Sequence, residues 1–141
     1  MSMELHVLVE SSRLPDVRQW QQTLDELGFD VKLDPTLSVL GNKGFVPCTF
    51  KGRQSGFEFS VWSGSDIAET YPEFEQQFTG RDSSANFRWG GDLIEMACAL
   101  LASAALAQLC DGVWFDPQEG NCFNSSEALK YVKSELAAAK L

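Results

Sequence analysis

The chain has one histidine, His6, in 141 residues. A Ser-His-Asp or Cys-His centre needs a base beside its nucleophile, and there is no second imidazole to serve. His6 lies on the polar side of a strand-like stretch with no motif around it, so it reads as a structural or solvated side chain. No G-x-S-x-G, H-E-x-x-H, P-loop or G-x-G-x-x-G pattern occurs, which removes the common hydrolase, metalloprotease and nucleotide signatures. Cys48, Cys98, Cys110 and Cys122 form no Cys-x-x-Cys, and with a single histidine zinc-ligand spacing is missing. Cys98 and Cys110 fall in one predicted helix, ~18 Å apart along its axis, too far for a disulfide. Scattered among apolar residues, the cysteines read as buried free thiols in a reducing compartment.

Basic residues are scarce as well: 11 Lys plus Arg against 20 Asp plus Glu, a formal charge of −9. Such a field disfavours nucleic acid and anionic lipid and favours a basic partner. Solubility alone is the plainer explanation of the same number. No stretch reaches the ~20 apolar residues of a spanning helix. The nearest, LIEMACALLASAALAQL (93–109), is interrupted by Glu95, Ser103 and Gln108 and predicts a buried core helix. The opening MSMELHVLVE has no basic region before an apolar run, so no secretory signal is expected.

What the chain does have is alternation and helical stripes. In MELHVLVE, Leu5, Val7 and Val9 share one face while Glu4, His6 and Glu10 take the other, a period of two that predicts a strand. SSRLPDVRQWQQTLDELG predicts a helix begun near Pro15 and ended at Gly28, with Val17, Trp20, Leu24 and Leu27 on its buried stripe. FDVKL predicts a second strand. FVPCTF (45–50) and GFEFSVW (56–62) predict a hairpin across a turn-rich link from Lys51 to Gly56, with Pro47 arguing that the first arm is an edge or starts late. NFRW predicts a short strand, and Asp92 with Glu95 a capping box for the long helix. Asn124 with Glu127 repeats that pattern before a final helix bearing Leu129, Val132 and Leu136. With no linker or repeat, residues 1–141 are expected to form one α+β domain. Its two layers are a mixed or antiparallel sheet and a long buried central helix.

Two stretches invite chemistry. DGVWFDPQEG (111–120) sets Asp111 and Asp116 around Val113-Trp114-Phe115. Five residues apart across a strand, the carboxylates face opposite ways and do not gather around one atom. The stretch therefore reads as scaffold. The glycines of RWGGD could leave helix N–H groups for an anion, though a strand-to-helix junction accounts for them. Residues 63–84 interleave Asp66, Glu69, Glu73 and Glu75 with Ile67, Tyr71, Phe74 and Phe78. This irregular segment reads either as a partner-binding loop or as an acidic turn of helix with its aromatics in the core.

The run FRWGGDLIEMACALLASAALAQLCDGVWFDPQEG (87–120) resembles the C-terminal half of small bacterial immunity proteins of polymorphic toxin and contact-dependent growth inhibition systems. The resemblance implies a cytosolic protein that neutralises a cognate toxin, often a nuclease, by tight binding, with no shared catalytic residues to transfer. Nuclease toxins tend to be basic, and an acidic inhibitor would meet one quickly. Aromatics among carboxylates make suitable anchors, so the expected contacts are Trp62, Asp66, Glu69, Tyr71, Glu73 and Glu75, with Trp89 and Asp92 as further candidates. No catalysis, cofactor, metal, nucleic acid or membrane is expected. A small enzyme using Asp111, Asp116 or His6 would need those groups in one pocket with perturbed titration. A small-ligand or self-associating module would need an apolar pocket or a two-fold interface.

Overall fold

Seven antiparallel strands make one open sheet in the order β2-β3-β4-β5-β1-β6-β7, described over residues 2–141 by a computed structural model. The strands are β1 (Met3–Val9), β2 (Val31–Leu33), β3 (Lys43–Phe50), β4 (Arg53–Ser63), β5 (Ser83–Trp89), β6 (Val113–Asp116) and β7 (Asn121–Phe123). The helices are α1 (Val17–Glu26), α2 (Gly64–Thr70), α3 (Leu93–Cys110) and α4 (Ser125–Ala138). The α+β class is as expected, and of the two sheet types left open, the antiparallel one is found. β1, the first strand in sequence, lies in the interior of the sheet between β5 and β6.

Alternation in each strand sends one set of side chains to the helix side: Leu5, Val7 and Val9 of β1, Phe57 and Phe59 of β4, Phe87 of β5 and Trp114 of β6. α3 crosses this face with α1 and α4 beside it. Because neighbours cover it on several sides, its residues are apolar nearly all round, and 67% of this span is buried inside the domain. Its many alanines combine high helix propensity with the small size that lets sheet and helices approach closely. Two tryptophans fasten it: Trp20 of α1 donates its indole N–H to the Ala102 carbonyl at 2.9 Å, and Trp114 donates to Ser103 Oγ at 2.9 Å. The opening of the 111–120 stretch is a turn: Asp111 takes the left-handed conformation that ends α3, and Trp114 is fully buried.

Several local expectations are corrected. The β3–β4 connection is only Lys51-Gly52, both at positive φ, so the strands run closer to the turn than the composition of 51–56 suggested. β3 is not an edge strand: β2 flanks it from Cys48 to Phe50. Pro47 is tolerated because it sits where β2 ends, its carbonyl accepting the Asp34 N–H at 3.2 Å. Asp92 does cap α3, accepting from the Glu95 N–H. Glu95, however, reaches back past the cap to the Gly90 N–H, so the reciprocal box is absent there. It is present at Asn124–Glu127 and, unforeseen, at Asp16–Gln19. NFRW is the end of a longer β5, and β7 was not foreseen.

Residues 63–84 are largely helical. α2 and a 3-10 helix (Pro72–Phe78) lie across the second face of the sheet over β1 and β6, where Ile67 and Phe78 pack on Leu8 and Phe115. Among the described residues no helix lies on the rest of that face.

Candidate functional site

The second sheet face is read in rows through the strand register. Phe45, Glu58, Arg88 and Glu4 oppose one another across β3, β4, β5 and β1. The next row is Lys43, Ser60, Asn86, His6 and, on β6, Phe115. The third is Trp62, Ser84, Leu8 and Val113. The α2 and 3-10 cover takes the β1–β6 end of these rows. The β3–β5 end stays open, as a shallow depression of about 380 Å³. Two large apolar side chains stand at this open end, Phe45 59% exposed and Trp62 53% exposed. Phe45 lies over Gly56, where a Cβ would come within 2.3 Å of its ring, so the glycine sets the ring's position.

Where the cover meets the open floor, polar groups interlock. His6 Nδ1–H donates to Asn86 Oδ1 at 2.6 Å, and Ser84 Oγ donates to the same oxygen at 2.6 Å. Tyr71 O–H donates to Glu4 Oε1 at 3.2 Å, while Arg88 donates to Glu4 Oε2 at 3.3 Å. The His6 ring stacks against Phe115 with centroids 6.0 Å apart. His6, only 4% exposed, is therefore structural rather than solvated. Burial pushes its pKa below the ordinary 6.5, against the opposing pulls of the Asn86 hydrogen bond and Glu4, so the imidazole is neutral at pH 7. Burial likewise raises the Tyr71 phenol, with Glu4 adding to the effect.

The expected contact residues divide between this face and its cover. Trp62 is on the open face, its indole N–H donating to Ser60 Oγ at 2.6 Å. Asp66 and Glu69 on α2, and Glu73 and Glu75 on the 3-10 helix, are all exposed, and none forms an ion pair among the described residues. Tyr71 is half-buried, its ring 5.2 Å from Phe115, so it holds the cover down. Trp89 and Asp92 line a different depression, with Asp116, Glu119, Tyr131 and Glu135. Glu4, Phe45, Glu58, Asn86 and Arg88 were not singled out from sequence. Alternation already put Glu4 on a polar face, but only the pairings of β1 and β4 with β5 bring it and Glu58 to either side of Arg88.

Asp111, Asp116 and His6 lie in three separate depressions. Burial raises the Asp116 carboxyl despite hydrogen bonds from the Gln118 and Glu119 N–H groups. No three His, Cys, Asp or Glu side chains converge as a metal cage among the described residues. All four cysteines are free. Cys98 of α3 next to Cys48 of β3, together with burial, pushes the Cys48 thiol up, and burial lifts Cys110 to about 11. Neither the protein-family models, the curated proteins nor the solved structures contain a match to the chain.

Proposed function

We propose that the chain is an immunity-type inhibitor: a cytoplasmic, non-catalytic protein without cofactor that binds a basic toxin domain and covers its working surface. The observation carrying this reading is the open end of the second sheet face. There Trp62 and Phe45 stand exposed, and Asp66, Glu69, Glu73 and Glu75 are exposed on the cover that follows Trp62 in the chain, without ion pairs among the described residues. Isolated exposed hydrophobics are ordinary, but two aromatics flanking a polar depression suit the anchoring centre of an interface. The charge of −9 supports fast, steered capture of a cationic protein.

The test is a pull-down from the native bacterium with the whole chain as bait, at low and then high salt. The expected product is a basic polypeptide that arrests growth when expressed alone and is tolerated when co-expressed with this chain. Its association should slow as salt rises. Reversing the charge of Glu69, Glu73 and Glu75 should slow it further, and Trp62→Ala should speed dissociation. Recovery of the chain alone, or capture indifferent to all these substitutions, overturns the reading.

A further inference from the structure

β2 is the outermost strand on one side of the sheet, so half of its backbone groups have no strand to face. The Lys51 N–H donates to the Asp30 carbonyl at 3.0 Å, and the Asp34 N–H donates to the Pro47 carbonyl at 3.2 Å. Residues 30, 32 and 34 therefore face β3, while Val31 and Leu33 turn their N–H and C=O groups outward. One side chain of α1 takes two of those outward groups. Gln21 Nε2 donates to the Val31 carbonyl at 2.9 Å, and Gln21 Oε1 accepts from the Leu33 N–H at 2.7 Å. Nε2 also donates to Asp25 Oδ1 at 3.0 Å, and Lys32 Nζ holds that carboxylate from β2 at 2.9 Å. These partners fix the amide's orientation, because the Leu33 N–H only donates and the Val31 and Asp25 oxygens only accept.

We propose that Gln21 guards the free edge of the sheet: its amide stands where the peptide groups of a further strand would stand, and it keeps a second copy of the chain from pairing along β2. An outer strand with vacant N–H and C=O groups is a template for another chain. This one has room beside it, a groove of about 570 Å³ lined by Val17, Gln21, Leu33 and Pro35. The charges along the edge favour a second copy as the occupant. Antiparallel pairing of two β2 strands about Val31 sets Lys32 of each copy opposite Asp30 of the other, both exposed. Pairing about Leu33 sets Lys32 opposite Asp34 instead. Either register places opposite charges across the strands, which stabilises a pair. The amide prevails in the intact chain because it is tethered beside its partners, whereas a second copy must arrive from solution. The guard role is independent of what the second sheet face binds.

The test applies sedimentation velocity and amide hydrogen exchange to the intact chain. Wild type should sediment as a monomer from dilute solution up to NMR concentrations. Gln21→Ala keeps the helix propensity of α1 but loses both edge bonds, and it should dimerise as concentration rises. At dilution its Leu33 amide should exchange about tenfold faster than in wild type, as expected for loss of one hydrogen bond. In the dimer that amide should regain protection, while exchange within α3 stays as in wild type. Gln21→Glu serves if the alanine variant does not fold: it keeps an acceptor for the Leu33 N–H, has no donor for the Val31 carbonyl, and should dimerise more weakly. Lys32→Glu added to either variant should weaken the dimer several-fold, because it sets like charges across the paired strands. Monomers of both Gln21 variants at every concentration overturn the guard. So does a wild-type chain that already pairs along β2, or association indifferent to Lys32→Glu.

Discussion

A fully buried tryptophan must still find an acceptor for its indole N–H, and Trp20 and Trp114 both find theirs on α3. Ser103 is the more revealing partner. It looked like an interruption in an apolar run, yet it accepts from Trp114 and donates to the Leu100 carbonyl at 3.0 Å. Ser103→Ala should lower stability by about 1–3 kcal/mol, because it leaves a buried N–H unpaired; urea unfolding measures this. His6 carries a different consequence. Its folded pKa lies below the unfolded 6.5, so the unfolded chain binds the extra proton first as pH falls. The stability of the neutral, buried ring is therefore present above about pH 6.5 and is lost below it. Wild-type chain should lose stability between pH 7.5 and 5.5, and His6→Gln should lose less over the same interval. A wild-type profile flat across that window would refute the assignment. Asp116, raised by burial, acts in the opposite sense and at lower pH.

At the scale of elements, legibility followed periodicity. α3, α1 and the β3–β4 hairpin announced themselves because a stripe or an alternation runs through several turns or rungs. β7 has three residues, all half-buried, and so no alternation to read. Residues 63–84 follow the acidic-helix reading in that the carboxylates are exposed and Ile67 and Phe78 are in a core, but that core is a second, smaller one, which nothing in the sequence distinguishes from the main core. A cover held by so few apolar side chains should open before the main body does. Native-state hydrogen exchange should show the amides of Ile67–Phe78 exchanging through a lower free-energy opening than those of Leu100–Leu106. Phe78→Ala should widen the gap, costing about 3 kcal/mol or more if the smaller core behaves like a main one. Equal protection of both segments would mean that the cover is an integral part of the domain.

For the whole molecule, the class was legible and the assembly was not. Two helical stripes, one apolar helix and alternating strands lead to an α+β domain, but nothing local to MELHVLV says that it will lie between residues 83–89 and 113–115. The same gap hid the candidate site. Glu4 and His6 come from the first strand, Glu58 and Ser60 from the hairpin, and Asn86 and Arg88 from a strand some eighty residues later, as the His6–Asn86 bond records. A sequence shows which side chains share a face of their own strand. It does not show which strands lie side by side.

That placement of β1 also sets an order of events during synthesis. Of the seven strands of this sheet β1 is translated first, yet it is among the last to gain its neighbours, since both are encoded downstream of Asp82. Until they emerge, Leu5, Val7, Leu8 and Val9, all buried in the finished fold, have no sheet to join, and both strand edges remain open to other chains. A nascent chain stopped at the end of the 3-10 helix would carry the hairpin and the acidic cover but leave β1 unmatched. The −9 charge of the full sequence is already heavily represented in that first half, and mutual repulsion between neighbouring nascent chains then serves as protection during the wait.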